Sequence, residues 1–177
     1  MNLHCSTTWP DKMGKLKGEQ TVFVPQILNS LYHNGLITAD EITDYERRYY
    51  ETTGLQFLCS ERQKPHTIRW DKNNRWKSGM DIHFKIWTGS PYRSKTFQFA
   101  PVLMCTGVQE IEIIYSDEKL SDLYCMEPVV KIDGRPLTLE EVEKLAINDG
   151  FTDVQKFCWW FNKDFTGKII HWTDLKY

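Results

Sequence analysis

The chain has 177 residues, 22 Lys+Arg against 24 Asp+Glu and a formal net charge of −2. That length fits one domain with a substantial core, and a hydrophobic fraction of 41% with 14% aromatics excludes wholesale disorder. No apolar run approaches the roughly 18–20 residues of a membrane span, and Met1-Asn2-Leu3-His4-Cys5-Ser6 leads into no apolar stretch, so no secretory signal is read.

The cysteines, Cys5, Cys59, Cys105, Cys125 and Cys158, are odd in number and scattered. They suggest neither a disulfide framework nor a metal site. The expectation is a cytoplasmic, reduced protein without metal or cofactor, and without membrane contact.

The opening third reads as an irregular arm followed by two helices. Pro25 suits a first helical turn, and Val24, Ile27, Leu28 and Leu31 recur at helical spacing before Gly35. Thr38-Ala39-Asp40-Glu41 is a capping box, Ile42, Tyr45 and Tyr49 line the helix that follows, and Gly54 closes it.

Residues 62–77 hold Arg62, Lys64, Arg69, Lys72, Arg75 and Lys77 against Asp71 alone, a net +5. The remaining 16 bases and 23 acids leave −7 elsewhere. A basic segment on an acidic body is a candidate anion site, and otherwise a solvated loop.

Ile82, Phe84 and Ile86 then alternate with His83, Lys85 and Trp87, the pattern of a half-buried strand. A longer β-rich stretch follows over 102–114, with Gly107 expected as a bend or bulge. Val129–Ile132 is a short strand ending in the turn signal Asp133-Gly134. A second capping box, Thr138-Leu139-Glu140-Glu141, opens a helix with Leu139, Val142, Leu145 and Ala146 inward. Asn148-Asp149-Gly150 stops it. Thr152–Gln155 caps a further helix with Val154, Phe157, Cys158 and Phe161 as its apolar stripe, and 168–172 is a last strand. Helices first, then strands with late helices, argue an α+β fold with a small curled sheet. Neither GxGxxG nor GxxxxGK[ST] occurs, so the common nucleotide loops are absent.

Lys64-Pro65-His66-Thr67-Ile68-Arg69 followed by Lys77-Ser78-Gly79 and the strand 82–84 resembles the ASCH family of the PUA-like superfamily. There a lysine, a T-[IV]-R element and a [KR]-x-G-[DE] turn enter a barrel strand. The C-terminal run Leu145-Ala146, Asn148–Phe151, Phe157–Phe161 and Gly167–Trp172 is similar to the family's close. With the Trp9-Pro10 arm, the likeness is nearest to ASCH-like proteins of phages and prophages, and it covers residues 60–172. It implies a PUA-like pseudo-barrel of about five or six mostly antiparallel strands with helices capping its ends. Residues 1–59 would then add an N-terminal arm and two helices to the same domain as the 60–177 barrel.

The resemblance implies binding of RNA or of a modified nucleoside or nucleotide. One branch of the family hydrolyses N4-acetylcytidine with a K-x-x-T pair, matched here by Lys64 and Thr67, and a glutamate before the later helix. Arg135 stands at that last place, so Asp133 is the expected acid, with Glu140 second. In such chemistry Thr67 is the nucleophile and Lys64, crowded by cations, takes its proton.

The remaining expected ligand residues each have a physical role. Arg69 offers a planar fork to a phosphate or base edge, or else salt-bridges an acid. His66 donates to the ligand or is a satisfied strand histidine. Trp70 stacks a base, Trp76 plugs the core, and Arg75 and Lys77 charge the rim. Arg93, beside Tyr92 and Lys95, either extends the groove or lies in a solvated loop. Two further functions compete with binding: hydrolysis of an acyl-amide on a cytidine-like base or of an RNA phosphodiester, and capture of a host protein through the helical region and Trp159-Trp160.

Overall fold

The computed structural model describes residues 1–115 and 128–177; Cys125 lies outside them. Within these residues the chain is a mixed α+β domain with two sheets. The first is built on β3 (Asp81–Trp87), which pairs with β1 (Asn2–His4) in parallel and with β4 (Thr96–Gln98) and β5 (Leu103–Met104) antiparallel. The second has the order β2-β9-β6-β7-β8, from β2 (His66–Arg69), β9 (Phe165–His171), β6 (Gly107–Ile114), β7 (Val129–Ile132) and β8 (Arg135–Pro136), all antiparallel. Hydrogen bonds among the described residues do not close the two into one barrel, and the strands outnumber the five or six expected.

The helices stand where local chemistry demands. α1 (Phe23–His33) turns an apolar stripe inward and ends before Gly35, whose φ of 67° suits glycine. α2 (Ala39–Thr53) and α3 (Leu139–Asn148) each open with a reciprocal capping box, Thr38 with Glu41 and Thr138 with Glu141. Asp153 caps the short α4 (Val154–Trp160) by accepting from Lys156 N. In the β7–β8 turn both Asp133 and Gly134 take positive φ, 49° and 81°, as a primed hairpin turn requires.

β9 carries the core on both faces. Ile170 and Trp172 pack with α1, β3 and Phe99, whereas Ile169 packs with β6, β7, α3 and Phe157. A strand buried on two faces reads as a continuous apolar run, as Ile169-Ile170 does. β2 follows the same division: in register Thr67 lies opposite Ile170, and Ile68 opposite Ile169.

Three local expectations need correction. The N-terminal arm is not irregular throughout, because β1 joins the parallel edge of β3 and a 3₁₀ segment spans Asp11–Leu16. Leu139, the first residue of α3, is 69% exposed, whereas Val142, Leu145 and Ala146 are buried. Gly107 opens β6 as a paired residue opposite His171, and the break in the β-rich stretch falls at Cys105-Thr106. Among the described residues no helix is long and apolar enough to cross a membrane.

Candidate functional site

The seam between the two cores holds a cavity of about 350 Å³. Its polar wall is Lys64, Thr67, Arg69 and Asp149, its apolar wall Phe23, Phe151 and Trp160, and its lip the N-terminal arm at His4–Ser6, Pro10 and Lys12. The basic segment thus supplies three of the polar groups from β2 and the residues just before it.

Lys64 is buried, 3% exposed. Its backbone N–H donates to Gln26 O on α1 (3.0 Å), which anchors the residue at the start of β2. Its ammonium donates to Asp149 Oδ1 at 2.5 Å and also to the Asp149 carbonyl, and lies 5.1 Å from the Phe23 ring centre. Asp149 is the C-cap of α3, so the ammonium meets both a carboxylate and the negative end of a helix. The same Oδ1 accepts from Ile68 N at 3.1 Å, tying α3 to β2. Desolvation pushes the Lys64 pKa down and the Asp149 pKa up, each opposed by the attraction of its partner. Gly150 follows with φ of 94°; a Cβ there would stand 2.7 Å from Gln26 Oε1 and 2.8 Å from Phe23 Cδ1.

Arg69 donates through Nη2 to the His4 carbonyl at 2.8 Å. No acid pairs with it among the described residues, so its guanidinium remains a net cation on the cavity wall with donors to spare. Cys5 lies in the same wall, where burial pushes its thiol pKa up against the pull of Arg69 and Lys64. Lys12 donates to the Trp160 carbonyl and sits 5.0 Å from that ring's centre. Thr67 is 1% exposed and lines the cavity on the face that alternates with Ile68.

His66 turns the other way. It is fully buried, and its Nε2 lies 2.6 Å from the Tyr177 hydroxyl, which also accepts from Asn148 Nδ2 at 2.9 Å. Its Nδ1 has no hydrogen-bond partner among the described residues and stands 3.8 Å from Asp149 Oδ1. Burial, then Lys64, His171 and Lys176, hold it neutral, with a pKa well below the usual histidine range. His66 therefore backs Asp149 from behind and is not a cavity-lining donor.

Asp133 is also elsewhere. Its carboxylate accepts from Glu110 N (2.8 Å) and Gln109 Nε2 (2.9 Å) and locks the β7–β8 turn to β6. Glu140 pairs with Lys144 on the surface of α3. The acid beside Lys64 is Asp149, which sequence reasoning treated only as a helix stop. A signal for it exists: an acid at a helix C-terminus opposes the dipole unless a cation faces it.

The outer part of the basic segment forms a different place. Trp70 is 68% exposed and borders an open cleft with Lys72, Asn74, Glu110 and Lys168. Asp71 is buried, accepts from Trp76 N at 2.8 Å and lies 3.9 Å from Arg75 Nε. Trp76 is a core residue, as its position before β3 suggests. Arg75 and Lys77 are exposed, and Arg93 is exposed in the β3–β4 turn. Among the described residues no group of three or more His, Cys, Asp or Glu side chains is placed to hold a metal ion.

Compared with known proteins, the chain matches no family model, no curated protein and no solved structure.

Proposed function

We propose that the chain is a nucleoside- or nucleotide-binding domain of the PUA-like, ASCH type, with the seam cavity as its binding pocket. The observation that carries this reading is a buried Lys64–Asp149 pair opening, with an acid-free Arg69, onto an aromatic-walled cavity. Burying an ion pair costs several kcal/mol per ion, and buried polar groups converging on an apolar pocket are the usual make-up of a small-ligand site. A volume of about 350 Å³ is that of a pocket for one small ligand rather than a long groove. The rings of Phe23, Phe151 and Trp160 suit a base, and Arg69 and Lys12 suit its phosphate. In this reading the two sheets sharing β9's double-faced core stand for the pseudo-barrel that the sequence resemblance implies.

Titration with cytidine 5′-monophosphate, followed by tryptophan fluorescence, tests the proposal. Saturable binding that weakens by about 1–3 kcal/mol in Arg69→Ala is expected for a charge-assisted contact. No binding at low salt, with Arg69→Ala only lowering thermal stability, would make Arg69 structural and end the reading.

A second reading, amide hydrolysis, is favoured by one observation: Thr67 and the desolvated Lys64 line the same cavity beside a carboxylate. Thr67 Oγ1 would attack the acyl carbonyl of N4-acetylcytidine while Lys64, having first passed one ammonium proton to Asp149, takes the threonine proton and gives it to the departing N4 amine. Water then hydrolyses the threonyl ester to acetate. Asp149 replaces Asp133 as the positioning acid. Cytidine release that disappears in Thr67→Ala supports this chemistry; full activity in that variant removes it.

A further inference from the structure

Behind the Lys64–Asp149 pair, on the side away from the cavity, polar groups run in a line from His66 through Tyr177 to Asn148. Tyr177 is clamped to β6 through its backbone: its N–H donates to Gln109 Oε1 (3.1 Å) and its carbonyl accepts from Gln109 Nε2 (3.0 Å). Burial raises the pKa of its hydroxyl, which keeps its single hydrogen at neutral pH. That hydroxyl accepts from Asn148 Nδ2 at 2.9 Å and so has its own hydrogen to give to His66 Nε2, at 2.6 Å. Nε2 is then an acceptor. The ring is neutral, because burial and the nearby Lys64, His171 and Lys176 all oppose a charge on it. A neutral imidazole with an accepting Nε2 carries its proton on Nδ1.

The 3.8 Å from Nδ1 to Asp149 Oδ1 is too long for a hydrogen bond, but in a dry interior it is close enough for the N–H dipole to act on the carboxylate. The opposite tautomer would set a lone pair against that carboxylate, so Asp149 favours the same form as Tyr177 does. Oδ1 already accepts from Lys64 Nζ at 2.5 Å and from Ile68 N at 3.1 Å. A further positive group behind it weakens its hold on a proton, and the proton of the Lys64–Asp149 contact stays on the lysine. With Arg69 and Lys12 on the same walls, the pocket is then cationic. We infer that Tyr177 is a positioning residue for the pocket: its hydroxyl fixes His66 as the Nδ1–H tautomer, that N–H keeps Asp149 ionised, and Lys64 is thereby held as an ammonium that selects an anionic ligand over a neutral one. The amine form that hydrolysis requires is held back by the same hydrogen bond. The ligand preference rests on the pocket reading given above; the tautomer does not.

The tautomer is measured first, without ligand, by NMR of the 15N-labelled protein at neutral pH. His66 Nδ1 should be the protonated nitrogen, Nε2 the bare one, and Lys64 Nζ an ammonium. A proton on Nε2 overturns the inference and leaves the pocket reading standing. Titrations with cytidine 5′-monophosphate and with neutral cytidine then measure what the charge does. Tyr177→Phe removes the donor; it should move the His66 proton toward Nε2 and cut the preference for the monophosphate over cytidine about fivefold. His66→Leu should cut the preference likewise. His66→Asn, whose amide keeps an N–H where Nδ1 stands, should retain it, and in that background Tyr177→Phe should have no further effect. An unchanged preference in Tyr177→Phe and His66→Leu, or equal weakening of both ligands, makes the two residues merely structural and overturns the inference. If neither ligand binds the wild type, the pocket reading fails and the Lys64 Nζ signal decides. A shift toward the amine in Tyr177→Phe upholds the inference, and an ammonium that persists unchanged overturns it.

Discussion

Lys64 and Arg69 on one side, Lys72, Arg75 and Lys77 on the other, come from one basic run of sequence and meet opposite fates. The first two lie on or beside β2, which is hydrogen-bonded to the doubly buried β9, so the backbone carries them into the interior. The last three lie on the connection to β3 and stay in solvent. The connection's one acid, Asp71, is itself buried, but it is used to hold Trp76 N. Charge density alone therefore does not mark a site. What separates the halves is whether the fold supplies a partner that compensates desolvation: Asp149 and the end of α3 for Lys64, the His4 carbonyl for Arg69.

The inward half depends most on Asp149, the carboxylate that faces Lys64. Asp149→Ala leaves the Lys64 ammonium buried without its carboxylate, and a loss of about 3–5 kcal/mol in denaturant-measured stability is expected. Lys64→Met combined with Asp149→Ala should lose clearly less than the two single changes together, since the double variant buries no lone ion. Additive losses would mean that the pair is not coupled and that the inward half is no more specialised than the outward one.

His171 is the opposite case to Lys64, a buried titratable group without a hydrogen-bond partner among the described residues. It is fully buried, neither ring nitrogen has a hydrogen bond among the described residues, and burial first, then Lys176, brings its pKa down to about 4. Between pH 6.5 and about 4 the unfolded chain then binds more protons than the folded one. Stability is accordingly flat in this term above pH 6.5 and falls as pH drops through that window, by about 3 kcal/mol at the lower end. His66 acts in the same direction. Asp149, whose pKa is raised, acts in the opposite one, so the readout is the difference between wild type and His171→Leu, in which the fall should be smaller. An unchanged pH profile in that variant would show His171 to be protonated equally in both states.

Gly150→Ala tests the positioning of the inward half rather than its charge. At φ of 94° a side chain is strained, and the new Cβ would crowd Gln26, Phe23 and Lys64 Cδ at 2.7, 2.8 and 3.1 Å. A destabilisation of about 1–3 kcal/mol is expected, together with weaker mononucleotide binding. Stability loss without any change in binding would separate the α3 end from the pocket.

How much of this was legible beforehand depended on the distance over which each feature is specified. The capping boxes at Thr38 and Thr138, the Asp133-Gly134 turn and the alternation of β3 are settled within a few residues, and the fold has them where local chemistry puts them. Lys64, Thr67 and Arg69 were singled out by their motif, and they do share one cavity. Asp149 was not, because its role is set by a residue 85 positions away, and a nearer acid, Asp133, fitted the resemblance better. β1 was missed because three residues are too few to show a period, yet that arm forms the lip of the pocket. His66 alternates with Thr67 on one strand, so their faces were bound to differ once β2 was paired; which face met the cavity is a tertiary fact.

The smallest expected effect bears on the outward half itself. Arg75 is 65% exposed, and its contact with the buried Asp71 is a loose 3.9 Å. Lys77 is exposed without an acid partner among the described residues. Arg75→Ala and Lys77→Ala should each change stability by no more than about 0.5 kcal/mol, as surface changes away from caps and buried pairs do. Neither should alter mononucleotide affinity measurably, because neither residue lines the cavity. If either substitution instead weakened mononucleotide binding as much as Arg69→Ala, the division drawn between the two halves would fail. The ligand would then have to reach the cleft at Trp70, where Lys72 and Lys168 stand beside an exposed ring.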